Sequence, residues 1–330
     1  MLKTFATGAT RSTLVSQKSS NVMNSTVNGS SCSISLNPTA QKIGETFANC
    51  LIVVVSLVGN SFIGIIVYKT QTLRKPVNYF IVNMAMSDLL FPIFLFPRDL
   101  TFFYVDYQWL ISGPLGQALC KLVIFLVQTC MFVSIQSLLL IAVDRFGAAV
   151  FPLRSPLISS KLCPLLILAT WIVAMAVNSP FLVAYKLVEL PNEKLYCFLQ
   201  WDEAFGESFS YENYFLVTLI LFYYIPIAVL VILYSIIVIK LKKQKIPGEH
   251  SVSAEQQRAK RNRKVLTLAI AIVVGFVLCW LPYSADFLVT FFARDYSITV
   301  FIAFSNCAVN PCICFSFSAN YRRGLKRLLK

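Results

Sequence analysis

The chain has 330 residues, of which 57% are hydrophobic and only 13% charged, with a mean hydropathy of +0.69. A soluble domain carries about twice that charged fraction, so a water-soluble globular fold is excluded. The formal net charge of +14 leaves two readings, a nucleic-acid surface or a cytoplasmic membrane face, and the placement of the charges decides for the second.

Apolar runs close to the ~20 residues needed to cross a bilayer as helix recur at 46–68, 77–97, 118–145, 162–185, 213–240, 265–292 and 297–317. They lack the two-residue alternation of a membrane β-barrel. The expected fold is an all-α membrane protein. A seven-transmembrane helix bundle fills 45–317, after a polar tail over 1–44 and before a short amphipathic helix over 318–330. With the N-terminus outside, 20 of the 29 Lys and Arg residues lie on the inner side and 11 of the 15 acids on the outer. That asymmetry is the one expected of cytoplasmic loops. It explains the basic balance without nucleic acid and places the charge against anionic lipid and inner partners. The tail has no apolar h-region, so the first span is expected to serve as insertion signal. Asn24-Ser25-Thr26 and Asn28-Gly29-Ser30 are N-glycosylation acceptor patterns, in keeping with an extracellular tail.

Taken in order, span 1 carries Gly59-Asn60. An amide in mid-bilayer needs a partner, and a helix-packing hydrogen bond is the reading adopted for Asn60. Span 2 carries a lone carboxylate, Asp88, which marks either a functional site or a protonated structural network. Pro92 and Pro97 are expected to bend its outer end. Trp109 and Gly113-Pro114-Leu115-Gly116 read as a short tight loop. The outer side holds Cys32, Cys120 and Cys197, and its oxidising environment permits a disulfide. Cys120 opens span 3 and Cys197 lies in the long loop after span 4, so these two are expected to pair, leaving Cys32 over. The other seven cysteines lie in or near the membrane and are expected to be inert small hydrophobes.

Span 3 ends in Asp144-Arg145-Phe146. The arginine either snorkels to the headgroups or is held inside the bundle by its neighbouring acid. Span 4 carries Trp171 and Pro180. The loop over 186–212 has a net charge of −4, and alternation around Cys197 suggests a short hairpin. It is either a solvated acidic loop or a funnel for cationic ligands. Span 5 contains Pro226 and ends near Tyr234. The inner loop after it holds His250, the single histidine, which leaves a Ser-His or His-metal active site little to build on. No P-loop or dinucleotide glycine pattern occurs, so no enzymatic activity is expected.

Span 6 is Val265 to Phe292. Phe276 and Trp280 are four apart and share a face beside the bend at Pro282. Span 7 carries Asn306 and Asn310, also four apart, ahead of Pro311. Beyond it, Phe317, Tyr321, Leu325 and Leu328 form an apolar stripe. Arg322, Arg323, Lys326, Arg327 and Lys330 fill the opposite side, as in a helix lying on the inner leaflet.

These residues, one set per span and in order, resemble the class A (rhodopsin-like) G-protein-coupled receptors over about 45–330. Gly59-Asn60, Asp88, Cys120, Asp144-Arg145-Phe146, Trp171, Pro226 with Tyr234, Phe276-x-x-Cys279-Trp280-x-Pro282 and Asn310-Pro311 carry the resemblance. It implies an allosteric sodium ion at Asp88, Ser134, Asn306 and Asn310, with no other cofactor. It implies an activation switch of Ile135, Pro226, Phe276 and Trp280, and G-protein coupling through Asp144, Arg145 and Tyr234. Heterotrimeric G protein and arrestin are the implied inner partners, at the plasma membrane. Activation in this scheme is a shift of population, drawn toward the open state by an agonist that binds it better.

Three departures stand out. Phe146 replaces the tyrosine of Asp-Arg-Tyr and keeps the charge pair. Asn262 stands where many receptors have an acid that locks Arg145. Cys314 replaces the tyrosine of Asn-Pro-x-x-Tyr, which in the family reaches Tyr234 through water. The last two imply a looser inactive state and raised basal activity.

Val127 occupies the position of the amine receptors' aspartate, and 297–311 contains no retinal-binding lysine. Amine receptors and opsins are thereby set aside. The acidic hairpin loop is similar to that of neuropeptide receptors. The expected ligand is a short basic peptide, held by Phe94, Gln128, Phe198, Asp286, Phe287 and Val300. A lipid or other small molecule is the nearest alternative ligand, and a transporter the distant alternative function. A transporter would need broken helices or an internal repeat.

Overall fold

A computed structural model of the chain describes residues 38–105, 108–151, 157–191, 193–243, 252–289 and 296–329. Asn24, Asn28, Cys32 and His250 lie outside the described residues, as do the side chains of Asn262, Asp286 and Phe287.

Eight principal helices follow one another: α1 Pro38–Lys69, α2 Pro76–Val105, α3 Gly113–Val150 and α4 Cys163–Asn178. Then come α5 (Tyr211–Leu219, a π-helical turn over Ile220–Tyr224, and Ile225–Lys243), α6 Val252–Val289, α7 Tyr296–Phe317 and α8 Ala319–Leu328. Six of them, α1, α2, α3, α5, α6 and α7, are long and apolar enough to span a bilayer. The seventh, α4, has only 16 residues, about 24 Å at 1.5 Å per residue. A further four-residue helical turn, Phe181–Ala184, follows it past Pro180. The apolar run expected over 162–185 therefore ends early as helix, and Tyr185 already belongs to a strand.

Gly113–Gly116, expected as a loop, is instead the first turn of α3. The cause is Pro114, whose fixed φ and missing N–H suit a first helical turn. Most of the interior is one apolar cluster, with Phe80, Ile135, Phe276 and Phe304 each no more than 1% exposed, and smaller clusters form around Trp201 and Phe132. Many other large apolar side chains face outward, among them Leu165, Ile232 and Leu278. That distribution would be a liability in water and is ordinary against lipid.

Asn83 ties three helices together. Its Nδ2 donates to Ser137 Oγ at 2.9 Å and Thr170 Oγ1 at 3.2 Å, and its Oδ1 accepts from Trp171 Nε1 at 2.9 Å. Each buried donor and acceptor of that amide is thus matched, as a low-dielectric interior requires. On the outer side, β1 (Tyr185–Glu189) and β2 (Leu195–Leu199) pair antiparallel, Leu187 opposite Cys197. At the inner end α8 lies across the bundle. Tyr321 and Gly324 are buried there while Arg322, Arg323, Lys326 and Arg327 are exposed. Phe317, expected in the apolar stripe of this helix, ends α7 and is 51% exposed. The break at Ser318 takes it out of the α8 register.

Candidate functional site

The polar centre of the bundle is built from proline's missing N–H. Pro92 cannot donate to the Asp88 carbonyl four residues earlier, nor Pro311 to that of Cys307. Both orphaned carbonyls are satisfied from α1. Ser56 Oγ donates to Asp88 O at 2.8 Å, and Asn60 Nδ2 donates to Cys307 O at 2.9 Å. The packing reading of Asn60 is the geometry observed. Gly59 makes the approach possible, since a Cβ there would lie 2.5 Å from the Pro311 Cβ.

Beside this frame, Asp88 accepts from Asn310 Nδ2 at 2.7 Å and from Ser134 Oγ at 3.3 Å, and Ser134 shares a 2.8 Å hydrogen bond with Ser87. Asp88, Ser134 and Asn306 line a cavity of about 10 Å³ that also touches Cys130, Cys307, Phe91 and Trp280. The volume is that of one water-sized sphere. The Oδ1 atoms of Asn306 and Asn310 are buried without a hydrogen-bond partner among the described residues. The cavity offers the Asp88 carboxylate, the Ser134 hydroxyl and the unpartnered Asn306 amide oxygen, with Asn310 hydrogen-bonded to the carboxylate, and these oxygen donors fit a hard cation. No cluster of three His, Cys, Asp or Glu suited to a metal occurs among the described residues.

Above the cavity sits the aromatic stack of α6. Trp280 meets Phe91 edge-on at 6.1 Å and lies 6.1 Å from Phe276, which is 6.3 Å from Tyr223. Ile135 and Phe276 are each 1% exposed, and Pro226 is buried. The π-helical turn just before Pro226 was not foreseen. Pro226 lacks an N–H for the Phe222 carbonyl, and its ring would crowd that carbonyl in a regular helix. Widening the preceding turn relieves the conflict. In that turn Tyr223 is 2% exposed, and Phe222 stacks on Phe132 of α3 at 5.0 Å.

Toward the outside, Gln128, Asn178, Tyr214, Thr218, Tyr223, Trp280, Tyr283 and Ser284 line a narrow pocket of about 30 Å³. Of the expected mouth residues, Gln128 is in this pocket. Phe94, Phe198 and Val300 are half-buried and lie outside its lining. Phe198 stacks on Tyr196 at 5.5 Å, so the two share a strand face as their spacing indicates. Cys120 and Cys197 form a disulfide that pins β2 to the outer end of α3. Gln117 reinforces the joint by accepting from the Leu187 N–H at 2.9 Å, and Trp109 N–H donates to Leu195 O at 2.7 Å.

The loop that reads as solvated and acidic has an apolar heart. Trp201 is fully buried among Phe181, Phe205, Phe209, Tyr211 and Tyr214, and its Nε1 donates to Phe209 O at 2.7 Å. The spacing of 201, 205 and 209 was the available signal. On the rim, Lys186 pairs with Glu203, while Glu189, Glu193, Asp202 and Glu207 are exposed.

At the inner end, Arg145 pairs with Asp144, its Nε donating at 3.1 Å. Both line a cavity of about 590 Å³ with Thr72, Lys75, Asn78 and Tyr321. Tyr234 is 7% exposed, and its hydroxyl has no hydrogen-bond partner among the described residues. It lies outside the lining of that cavity. The geometry is a narrow outer pocket with Trp280 in its lining and a wide inner one beside Asp144 and Arg145.

The family model described as 7 transmembrane receptor (rhodopsin family) matches residues 59–313. The chain belongs to the rhodopsin family of seven-transmembrane receptors. As a rhodopsin-family receptor it is a multi-pass protein of the plasma membrane. It is 30% identical to the neuromedin-K receptor of Mus musculus over 85% of this chain and 62% of that protein. It is 30% identical to the substance-K receptor of Homo sapiens, over 83% of this chain and 70% of that one. With the RYamide receptor of Drosophila melanogaster it shares 29% identity, over 84% and 61% respectively. The receptor thus spans somewhat over half the length of the first relatives. In it, Cys314 is fully buried, whereas Tyr321 of α8 brings a phenol to the inner cavity.

Proposed function

We propose that the receptor binds a short basic peptide at its outer face and, by movement of α6, activates a heterotrimeric G protein at its inner face, with arrestin as a further inner partner. The observation that carries this reading is the similarity to receptors named for neuromedin K, substance K and RYamide. The exposed acids of the hairpin loop favour a cationic ligand by field focusing at the entrance. A wide inner cavity in front of Arg145 supports an inner partner, and no observation favours a lipid ligand or a transporter. Within the same reading, Asp88, Ser134, Asn306 and Asn310 hold a sodium ion that favours the inactive state. The absence of an acid at Asn262 and of a phenol at Cys314 raises basal activity.

The test is a panel of synthetic peptides led by neuromedin K, substance K and RYamide, read through a promiscuous G protein in cells. The expected result is a response to at least one basic peptide, weakened about tenfold or more by combined Asp286→Asn and Glu203→Gln, the scale of one charge-assisted hydrogen bond. Unchanged potency in that double variant removes the charge-reading part of the proposal.

A further inference from the structure

Cys314 leaves the inner end of α7 without a phenol, but α8 delivers one to the same place. Tyr321 is 1% exposed, although it sits in a helix whose other polar side chains face out. Its ring packs in one apolar cluster with Cys314 and lies 6.4 Å from Phe315. Burial, and then the neighbouring Cys314, push its phenol well above the ordinary tyrosine range, so it stays a neutral donor. The hydroxyl donates to Asn78 Oδ1 at 3.2 Å, and Asn78 Nδ2 donates to the Leu73 carbonyl at 2.7 Å. One relay therefore joins α8, the inner end of α2 and the first inner loop. Leu73, Asn78 and Tyr321 all line the cavity that holds Asp144 and Arg145.

The helix that carries Tyr321 is itself clamped. Gly324 lies so close to α1 that a Cβ would sit 2.5 Å from Ile66 Cγ2. Arg322 donates to the carbonyls of Phe315 and Ser316 at the end of α7. The inner end of α7, Tyr321 and, through Asn78, the cavity wall are thus linked by direct contacts.

We propose that Tyr321 supplies, from α8, the inner-end phenol that Cys314 does not, and that through Asn78 it positions the cavity wall facing Arg145 for the inner partner. This makes Tyr321 a positioning residue for coupling. The inference deepens the G-protein reading given above and rests on it.

The experiment compares wild type with Tyr321→Phe, Cys314→Tyr and the combined Cys314→Tyr/Tyr321→Phe at matched surface density. It reads nucleotide exchange on a promiscuous G protein, without peptide and with the peptide panel, alongside surface expression. Tyr321→Phe keeps the ring and is expected to fold, with exchange changed about fivefold, the equivalent of one hydrogen bond. Cys314→Tyr places a second large ring in a filled site and is expected to lose surface expression. The combined variant keeps both rings and only moves the hydroxyl from α8 to α7. Its surface expression is expected to match that of Cys314→Tyr, and its exchange per surface receptor to return from the Tyr321→Phe level toward wild type.

Wild-type exchange from Tyr321→Phe, with wild type itself active, overturns the inference, and so does a combined variant whose exchange per surface receptor is no nearer wild type than that of Tyr321→Phe. If wild type drives no exchange with or without any peptide, the coupling reading fails first and this inference falls with it.

Discussion

Asn60 donates its side-chain amide to the Cys307 carbonyl at 2.9 Å, closing the backbone gap that Pro311 leaves four residues on. Ser56, one turn earlier on α1, does the same for the Asp88 carbonyl below Pro92. The first helix is thereby fastened to α2 and α7 at the depth of the buried carboxylate. Two helices can carry prolines there without exposing unsatisfied backbone to a medium that holds no water.

Replacing Asn60 by Ala strands the Cys307 carbonyl. The expected loss is about 1–3 kcal/mol, the cost of a buried unsatisfied group, seen as a lower thermal midpoint of the purified receptor. In a Pro311→Ala background α7 has its own N–H again, and the same change is expected to cost less. Equal losses in both backgrounds would disconnect Asn60 from the proline.

Gly59→Val is expected to lower surface expression sharply, because even a Cβ meets Pro311 at 2.5 Å and overpacking costs about 1–3 kcal/mol. Gly64, with no atom within 4 Å of an added Cβ, is the control. Gly64→Ala is expected to express as wild type.

The outer loop is predicted to depend on Trp201. Trp201→Ala removes the centre of its aromatic cluster, at a local cost of about 3–5 kcal/mol. Limited proteolysis of the outer loop in intact cells is expected to become fast, with Trp201→Phe intermediate. Breaking the disulfide by paired Ser substitution at Cys120 and Cys197 releases a 77-residue closure, a loss of about 4 kcal/mol on the chain-entropy account. Resistance to protease in either variant would show that the loop is held by something else.

The Asp88 cavity predicts a sodium effect. Replacing N-methylglucamine chloride by sodium chloride at constant ionic strength is expected to raise the thermal midpoint and weaken peptide binding, since an ion that binds one state favours it by mass action. Asp88→Asn removes the charge that attracts the ion and is expected to abolish both effects. A sodium response that survives in Asp88→Asn would place the ion elsewhere.

Much of the bundle was legible because each helix announces itself by a long apolar run, and the outer hairpin because Leu195, Cys197 and Leu199 alternate with Tyr196 and Phe198. The Cys120–Cys197 bond followed from having few outer cysteines to choose among. What the sequence left hidden depends on partners far apart in the chain. Asn60 reads as a polar residue needing a partner, but nothing local says that the partner is a carbonyl freed by Pro311. Pro226 announces a disturbed helix without saying that it is resolved by a widened turn. Trp201 sits among acids, so its loop reads as solvated until its rings are seen to close on one another. The apolar stripe of α8 was legible in outline, yet Phe317 was misassigned because the break at Ser318 carries no Pro or Gly to mark it.

The most direct measurement is nucleotide exchange on purified heterotrimeric G protein by the purified receptor in lipid nanodiscs, with the neuromedin K, substance K and RYamide panel added outside. The account predicts concentration-dependent acceleration by at least one basic peptide, abolished by Arg145→Ala. A disulfide-intact, surface-competent receptor that accelerates exchange with no peptide in the panel, or whose response survives Arg145→Ala, would contradict it.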